Sequence, residues 1–198
     1  MTASARLLIV GPQGSGKGTQ GVRIAESFGI PVVSTGDIFR ANIKAGTELG
    51  QQVTAILDAG DLVPDELTSE IVRDRLAQDD AAAGFLLDGY PRNTHQVEHL
   101  DEFLAGRGES LDAVILLDVP RDESISRLAL RATEQGRTDD TPEAIAHRLD
   151  IYEHETAPIL SVYGPRGIVD TIDGVGSLDE ITERIFAALD ARGLRVAV

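Results

Sequence analysis

The chain has 198 residues, 42% of them hydrophobic, and its 18 Lys and Arg against 33 Asp and Glu give a formal net charge of −15 at pH 7. A chain of this length and composition can bury a core of its own, which excludes a disordered protein and favours one principal domain; its negative charge disfavours general binding of nucleic acid or anionic lipid. Because the sequence contains no cysteine, disulfide frameworks, thiolate zinc sites and cysteine nucleophiles are excluded as well.

Short apolar runs recur along the chain and are predicted to form buried strands. Each run is continuous in β-branched residues or leucine rather than alternating, which is typical of parallel strands covered on both faces. The intervals between the runs carry helical periodicity, so the sequence predicts an α/β fold with a five-stranded parallel sheet. The predicted strands are 6–10, 31–34, 85–88, 113–119 and 168–172.

Two of the predicted helices begin with clear local signals. Thr141 precedes Pro142, which is the pattern of a helix cap followed by proline at the first helical position. Ser177 and Glu180 have the spacing of a capping box. The periodicity predicts helices over 17–28, 36–45, 49–59, 65–78, 94–104, 122–133, 142–163 and 177–191.

Two intervals exceed what a simple strand, helix, strand unit needs. Residues 35–84 hold three predicted helices between the second and third strands, which indicates a small inserted lobe ending near Leu62. Residues 132–141 are polar and contain a glycine, so we expect an exposed loop that can move over a ligand.

The strongest functional signal is the segment GPQGSGKGT at 11–19, between a predicted strand and a predicted helix. Glycines let the backbone curl so that its N–H groups face phosphate oxygens, the helix N-terminus adds positive potential, and Lys17 supplies a mobile charge. Gly18 stands where a magnesium-binding hydroxyl is usual, and Thr19 comes one residue later. The sequence therefore predicts a triphosphate cradle without direct hydroxyl ligation of Mg²⁺.

A carboxylate and an arginine follow the third predicted strand. Asp88 ends that strand beside the phosphate loop, where a carboxylate can hold Mg²⁺ or its waters. Arg92 is expected to contact a second oxyanion. His95 and His99 are four apart on a predicted helix but lack the order HExxH, so we expect exposed histidines there. No apolar run reaches the length of a membrane span and no leader-like segment is evident, so a soluble, cytoplasmic protein is expected.

Several segments, in order and at compatible spacing, match the motifs of one family. They are GPQGSGKGTQ at 11–20, STGDIFR at 34–40, LVPD at 62–65, DGYPRNTHQ at 88–96 and GRTDD at 136–140. On these motifs the chain resembles the adenylate kinases over nearly all of its length. So many independent motifs argue against a chance match, whereas likeness of fold alone would say little about function.

The resemblance implies a three-layer P-loop kinase fold: one core over 1–198 containing an NMP-binding insertion over about 34–63 and a short lid over about 131–141. It implies reversible, magnesium-dependent phosphoryl transfer from ATP to AMP, giving two ADP, in adenine nucleotide homeostasis. The long lid and the four cysteines of some relatives are missing, so no structural zinc is expected. We expect a monomer whose partners are ATP, AMP and ADP, with no nucleic acid or membrane, and whose flap motion limits turnover.

The resemblance also assigns roles to residues. The expected catalytic set is Lys17, Arg92, Arg131, Arg137 and Arg148. ATP is expected at Gly14, Ser15, Gly16, Lys17, Gly18, Thr19, Arg127, Arg137 and Gly176, with Asp88 holding Mg²⁺ through water. AMP is expected at Thr35, Arg40, Leu62, Val63, Gly89, Arg92, Gln96, Arg137 and Arg148.

These assignments have a physical sense. Two guanidiniums, Arg40 and Arg92, can clamp a phosphate dianion, and the amide of Gln96 can donate and accept at one purine edge. Arg127 and Arg131 are four apart on one helix, Arg137 lies in the polar loop, and Arg148 is expected where the next helix begins, so closing the loop would gather all four. Asp139 and Asp140 are expected to pair with these arginines or to serve the turn itself.

Two rival functions are kept open. A UMP or CMP kinase of the same fold would share DGYPRN. Such kinases typically have asparagine at the position of Gln96, so the glutamine favours AMP as the acceptor. An inactive sensor of ATP and AMP is the rival of another class, and it is disfavoured because Lys17, Asp88 and the lid arginines are all present.

Overall fold

The computed structural model of the chain describes residues 5–135 and 141–194, without the side chains of 133–135. The strands are β1 Ala5–Val10, β2 Val32–Ser34, β3 Gly84–Asp88, β4 Ala113–Asp118 and β5 Val169–Asp173. The helices are α1 Lys17–Phe28, α2 Thr35–Ala45, α3 Glu48–Ala59, α4 Asp65–Leu76, α5 Thr94–Ala105, α6 Arg121–Gln135, α7 Pro142–Ile151, α8 Ile159–Tyr163 and α9 Leu178–Ala191. In these ranges no helix has the length and apolar character needed to cross a bilayer.

The five strands form one parallel sheet in the order β2-β3-β1-β4-β5. The predicted α/β class, the parallel sheet and its five strands are confirmed. Asp88, at the end of β3, is in register with Ile9 of β1 on one side and with Ser34 of β2 on the other. The carboxyl ends of these three central strands therefore open onto one region, which is where open α/β sheets bind ligands.

Helices cover both faces of the sheet, giving three layers. One face packs Leu8, Val10 and Leu87 against side chains from α4, α5 and α8, among them Leu100. The opposite face packs residues such as Ile9 against α1 and α9. Burial on both faces explains why the strands have continuous rather than alternating apolar sequences.

Two helix pairs lie outside these layers and have small apolar clusters of their own. The α2–α3 pair, residues 35–59, packs around Phe39, Val53 and Val63. The α6–α7 pair packs around Leu128, Ile145 and Leu149. The expected insertion at 34–63 overlaps the first pair. The expected lid at 131–141 includes residues 136–140, which lie outside the described part of the chain, and both domain boundaries stay predictions.

The local start signals are confirmed, since the Thr141 side chain accepts from the Ala144 N–H and Ser177 forms a full capping box with Glu180. The single helix predicted over 142–163 is wrong. After α7 the chain forms a π-helical segment, Tyr152–Thr156, in which Ala157 N–H donates to the Tyr152 carbonyl at 2.7 Å. Pro158 has no N–H to continue the α-helical ladder, so the turn widens before α8 begins.

Candidate functional site

The phosphate loop runs from the end of β1 to the start of α1, as predicted. Gly14 and Gly16 have left-handed backbone angles, φ +80° and +92°, and Gly16 is the residue before the first helical residue, Lys17. A Cβ on Gly14 would lie 2.7 Å from the Ser124 carbonyl oxygen. Glycine is therefore required at Gly14 both by the left-handed angle and by the close approach of α6.

The Lys17 ammonium folds back over the loop, where it donates to the carbonyls of Gly11 at 2.7 Å and Pro12 at 2.8 Å. Burial lowers its pKa to about 8; the Asp88 carboxylate acts in the opposite direction, and the nearby Arg92 and Arg131 lower the pKa further. The charged form of Lys17 is thus held in a poorly solvated site. An anion there would stabilise it.

Within the described part of the chain, two buried polar atoms of the phosphate loop have no protein partner. Among the described residues, Gln13 Oε1 and Ser15 Oγ are buried without a hydrogen-bond partner. Buried polar groups are normally paired, so each such atom calls for an explanation. The Ser15 hydroxyl can donate to an oxyanion held by the loop, which fits a phosphate cradle.

The segment after β3 joins the loop to α2. Thr35 Oγ1 donates to the Gly89 carbonyl at 3.0 Å, and Arg92 Nε donates to the same carbonyl at 2.8 Å. Burial lowers the pKa of Arg92, Asp88 opposes this effect, and the nearby Arg148 and Arg40 add to it. The guanidiniums of Arg148 and Arg40 thus lie near that of Arg92, an arrangement suited to an anion with two or more charged oxygens.

Two of these arginines come from the small helix pairs. Arg40 on α2 donates to Asp37 at 2.6 Å. Arg148 donates to the Leu57 carbonyl at 2.9 Å, so it links α7 to α3 across the cleft. Arg148 lies in the last turn of α7, and the expectation that it begins that helix is wrong, because α7 starts at Pro142.

On the other side of the loop, Arg127 donates to Glu123 at 2.7 Å and to the Gly174 carbonyl at 3.1 Å. Arg127 and Arg131 lie one turn apart on α6 and both line the cleft. Gly176 lies beyond β5 with φ +135°, beside Glu180 and Arg184. Its place in ATP binding stays a prediction.

A single cleft of about 720 Å³ brings most of the predicted residues together. Ser15 and Gly176 are not among its lining residues, and Arg137, Asp139 and Asp140 lie outside the described ranges. Which lining residue serves which nucleotide stays a prediction. The predicted residues that line the cleft are Gly14, Gly16, Lys17, Gly18, Thr19, Thr35, Arg40, Leu62, Val63, Asp88, Gly89, Arg92, Gln96, Arg127, Arg131 and Arg148.

Comparison with known proteins identifies the family. Residues 9–168 match the family model described as adenylate kinase. Proteins named adenylate kinase match nearly the whole chain: one from Kocuria rhizophila is 59% identical over 185 residues, covering 93% of this chain and 98% of that protein. One from Clavibacter michiganensis is 60% identical over 190 residues, covering 96% and 95%, and one from Bifidobacterium longum is 56% identical over 185 residues, covering 93% and 100%.

The chain belongs to the adenylate kinase family. It has this family's P-loop kinase fold and is an enzyme of the nucleotide kinase class. The recognition made from the motifs is thereby confirmed.

Adenylate kinases generally use Mg²⁺ with ATP, and the donor chemistry of the cleft fits that ion. Asp88 supplies one hard carboxylate oxygen, and its Oδ2 lies 4.0 Å from the point where a Cβ on Gly18 would be. No group of three or more His, Cys, Asp or Glu gathers around a metal position within 5–135 and 141–194. One carboxylate with waters and substrate phosphates is a usual setting for Mg²⁺.

Sequence reasoning missed several residues that line the cleft of this adenylate kinase family member, among them Lys44 and Asp61. Lys44 lines the cleft four residues after Arg40, a helical spacing that places both on one face of α2 and could have revealed it. Asp61 also lines the cleft, and its Oδ1 lies 2.6 Å from His147 Nε2 on α7. Asp61 and His147 are 86 residues apart, so no local pattern could have indicated their contact.

Proposed function

We propose that this enzyme transfers a phosphoryl group reversibly from ATP to AMP, giving two ADP, with Mg²⁺ carried by ATP. The observation that carries the proposal is the convergence on one cleft of the phosphate loop with Lys17 and of arginines from three other segments, represented by Arg92, Arg131 and Arg148. The relatives named adenylate kinase support the choice of nucleotides. The proposed role is the maintenance of the balance among ATP, ADP and AMP.

The acceptor side is proposed to lie between α2 and the segment after β3. Arg40 and Arg92 can bind the AMP phosphate, because paired guanidiniums suit a dianion. Thr35, Leu62, Val63 and Gln96 all line the cleft and are proposed to hold the base. The remaining acceptor contacts are proposed at Gly89, Arg137 and Arg148.

The donor side is proposed at the phosphate loop. Backbone N–H groups from Gly14 to Thr19 and the N-terminus of α1 can bind the β and γ phosphates. Arg127 also lines the cleft and is proposed to contact ATP. Mg²⁺ would be held by Asp88 through water, and it would neutralise charge on the phosphate oxygens.

The proposed reaction needs no covalent intermediate with the protein. The AMP phosphate is already ionised, so its attack on the γ-phosphorus needs no general base. What the residues contribute is alignment of the two phosphates and a set of fixed cations where negative charge spreads in the transition state. Lys17, Arg92, Arg131 and Arg148 line the cleft, and Arg137 completes the proposed set.

Water would compete with AMP in an open site. The α6–α7 pair already contacts α3 through Arg148 and the Leu57 carbonyl, and it contacts the segment that follows α3 through His147 and Asp61. We propose that the two helix pairs close further over the cleft when both substrates are bound. This closure excludes water, and its rate limits turnover. The short lid at 131–141 is proposed to close over ATP.

The decisive experiment compares ADP formation with AMP, CMP, UMP and GMP as acceptors at equal concentration and saturating Mg·ATP. We expect AMP to be preferred by at least tenfold. A preference for CMP or UMP would replace this proposal with a pyrimidine nucleotide kinase. Binding of ATP and AMP with no ADP formed from any acceptor would indicate a nucleotide sensor. The monomeric state and the cytoplasmic location stay predictions.

A further inference from the structure

Gln96 is held by hydrogen bonds at every polar group it has. It is 2% exposed. Its backbone N–H donates to Asn93 Oδ1 at 2.8 Å and its carbonyl accepts from the Tyr90 hydroxyl at 3.2 Å. In the side chain, Oε1 accepts from the Arg92 N–H at 2.8 Å, and Nε2 donates to Asp65 Oδ1 at 2.6 Å. Neither the backbone nor the amide of Gln96 is free to reorient at low cost.

The two side-chain partners make the amide orientation unambiguous. A backbone N–H can only donate and a carboxylate can only accept. If the Gln96 amide turned over, its NH₂ group would face the Arg92 N–H and its oxygen would face the Asp65 carboxylate, and both hydrogen bonds would be lost. Hydrogen bonds to a charged acceptor are the stronger kind, and we expect the exchanged orientation to be disfavoured on the order of a hundredfold. Asp65 supplies the larger part of this restraint because it is the charged partner.

Asp65 is itself held in place. Oδ1 also accepts from Asn93 Nδ2 at 2.9 Å, and Oδ2 lies 3.3 Å from His95 Nδ1. Its side chain is 25% exposed and it is absent from the residues that line the cleft. Asp65 therefore acts on the cleft through Gln96, which does line it.

The held amide keeps one Nε2–H and one Oε1 lone pair for a ligand. A 6-aminopurine presents a ring nitrogen acceptor beside an amino donor, whereas a 6-oxopurine presents a ring N–H donor beside a carbonyl acceptor. A freely rotating amide can match either base by turning over. An amide held in one orientation matches only one of them, and its mismatched groups reject the other base.

We propose that Asp65 is a positioning residue that holds the Gln96 amide in one orientation and so makes the acceptor site select a 6-aminopurine over a 6-oxopurine. This inference rests on the proposed function, in which Gln96 borders the acceptor base. It adds a residue outside the cleft to those that determine acceptor specificity.

The test compares kcat/KM for AMP with kcat/KM for IMP, which differs from AMP at the 6 position and the adjacent ring nitrogen. Two variants of similar shape separate the acceptor atom from the charge: Asp65→Leu removes both, and Asp65→Asn removes the charge while its amide oxygen can still accept from Gln96 and Asn93. We expect Asp65→Leu to reduce the AMP preference roughly tenfold. We expect Asp65→Asn to keep it within threefold.

A loss of stability alone would lower both kcat/KM values together and leave their ratio unchanged, so the ratio reports the proposed role. Asp74→Leu, the same substitution at an exposed position of the same helix, should leave the ratio as in the wild type. Asp65→Ala provides a second variant without an acceptor if the Leu variant does not fold.

An unchanged ratio in the folded Leu or Ala variant would overturn the proposal, as would equal losses in the Leu and Asn variants. Failure of the proposed function is distinct, because the wild-type enzyme would then prefer CMP or UMP to AMP, or would form no ADP from any acceptor. A wild type that prefers AMP, together with a variant that keeps this preference, would remove only the role of Asp65.

Discussion

The phosphate loop and the arginines that face it are supported by apolar clusters of different size. The loop joins β1 to α1 between two large clusters, one on each face of the sheet. The α2–α3 pair has three buried residues at its centre, and so does the α6–α7 pair. Small clusters open locally at lower free energy than the main core. The phosphate loop is therefore supported by the main core, and the arginines of α2, α6 and α7 are carried on elements that open more easily.

The charged side chains of the loop and of the helix pairs also differ in how far along the sequence their hydrogen-bond partners lie. Lys17 is bonded to loop carbonyls within six residues of itself. Arg148 is hydrogen-bonded to the Leu57 carbonyl of α3, 91 residues away, and His147 to Asp61 just after α3, 86 residues away. The loop is thus assembled locally, and the convergence of the arginines depends on where the helix pairs lie relative to each other.

The largest expected effect follows from removing the fixed charge. Lys17→Met should lower kcat about 10³-fold, because a preorganised cation at the transferred phosphoryl group is lost. Burial disfavours the charged form of Lys17, since its pKa is lowered to about 8, so we expect the melting temperature to equal or exceed that of the wild type. Steady-state ADP formation and thermal unfolding check this. Wild-type turnover in the Met variant would contradict the role of Lys17.

Removing an arginine from one of the helix pairs should lower kcat less than removing Lys17. Arg148→Ala should lower kcat about 10²-fold, because one guanidinium and its bond to Leu57 are lost from the cleft. Arg121→Ala is the matched control: Arg121 pairs with Asp150 of α7 and with Glu153 just after α7, both exposed, and exposed pairs contribute little. Its kcat should stay within twofold of the wild type. Equal losses in the two variants would show that arginine contacts to α7 in general, and not cleft charge, determine the rate.

The pH dependence should report the fixed site. Because the pKa of Lys17 is lowered to about 8, the free enzyme loses this charge as the pH rises through that value. We expect kcat/KM for Mg·ATP to be constant below about pH 7.5 and to fall about tenfold for each pH unit above pH 8. Initial rates from pH 6 to 10 measure it.

A matched variant identifies the group responsible for that fall. Lys17→Arg keeps a cation that stays charged over this pH range, so its lower kcat/KM should not decline above pH 8. The same decline in the arginine variant would assign the pH dependence to another group.

The smallest effect should come from the support of the α2–α3 pair. Val53 is fully buried in its cluster, and Val53→Ala should cost about 2 kcal/mol of local stability. Because this pair borders the proposed acceptor region, we expect KM for AMP to rise several-fold with little change in ATP affinity. Val114→Ala makes the same change in the sheet; it should lower the melting temperature and leave KM for AMP unchanged. Similar kinetic effects from both variants would contradict the separation of the supports.

Much of the fold could be predicted from local sequence. The five strands were placed to within one or two residues at each end, because continuous apolar runs bounded by turn residues are a local signal. The caps at Thr141 and Ser177 were predicted for the same reason. The helix over 142–163 was mispredicted, since periodicity alone does not show how the chain accommodates Pro158.

In the candidate site, too, local features could be predicted from the sequence and contacts between distant residues could not. The phosphate loop was predicted because glycine spacing, Lys17 and the adjoining strand and helix all lie within a short segment. The bonds of the Gln96 amide to Asp65 and of His147 to Asp61 were not predicted, because their partners are 31 and 86 residues apart. Local patterns do not encode which distant groups will meet.

By itself, the sequence determined the α/β class, the position of the phosphate loop and the inventory of cations that an anionic ligand would need. Only the tertiary structure decided the strand order that brings Asp88 between β1 and β2, the meeting of α7 with α3, and the orientation of the Gln96 amide. The physical reason is that turns, caps and apolar periodicity act over a few residues. Packing and buried hydrogen bonds join groups that come together only when the whole core closes.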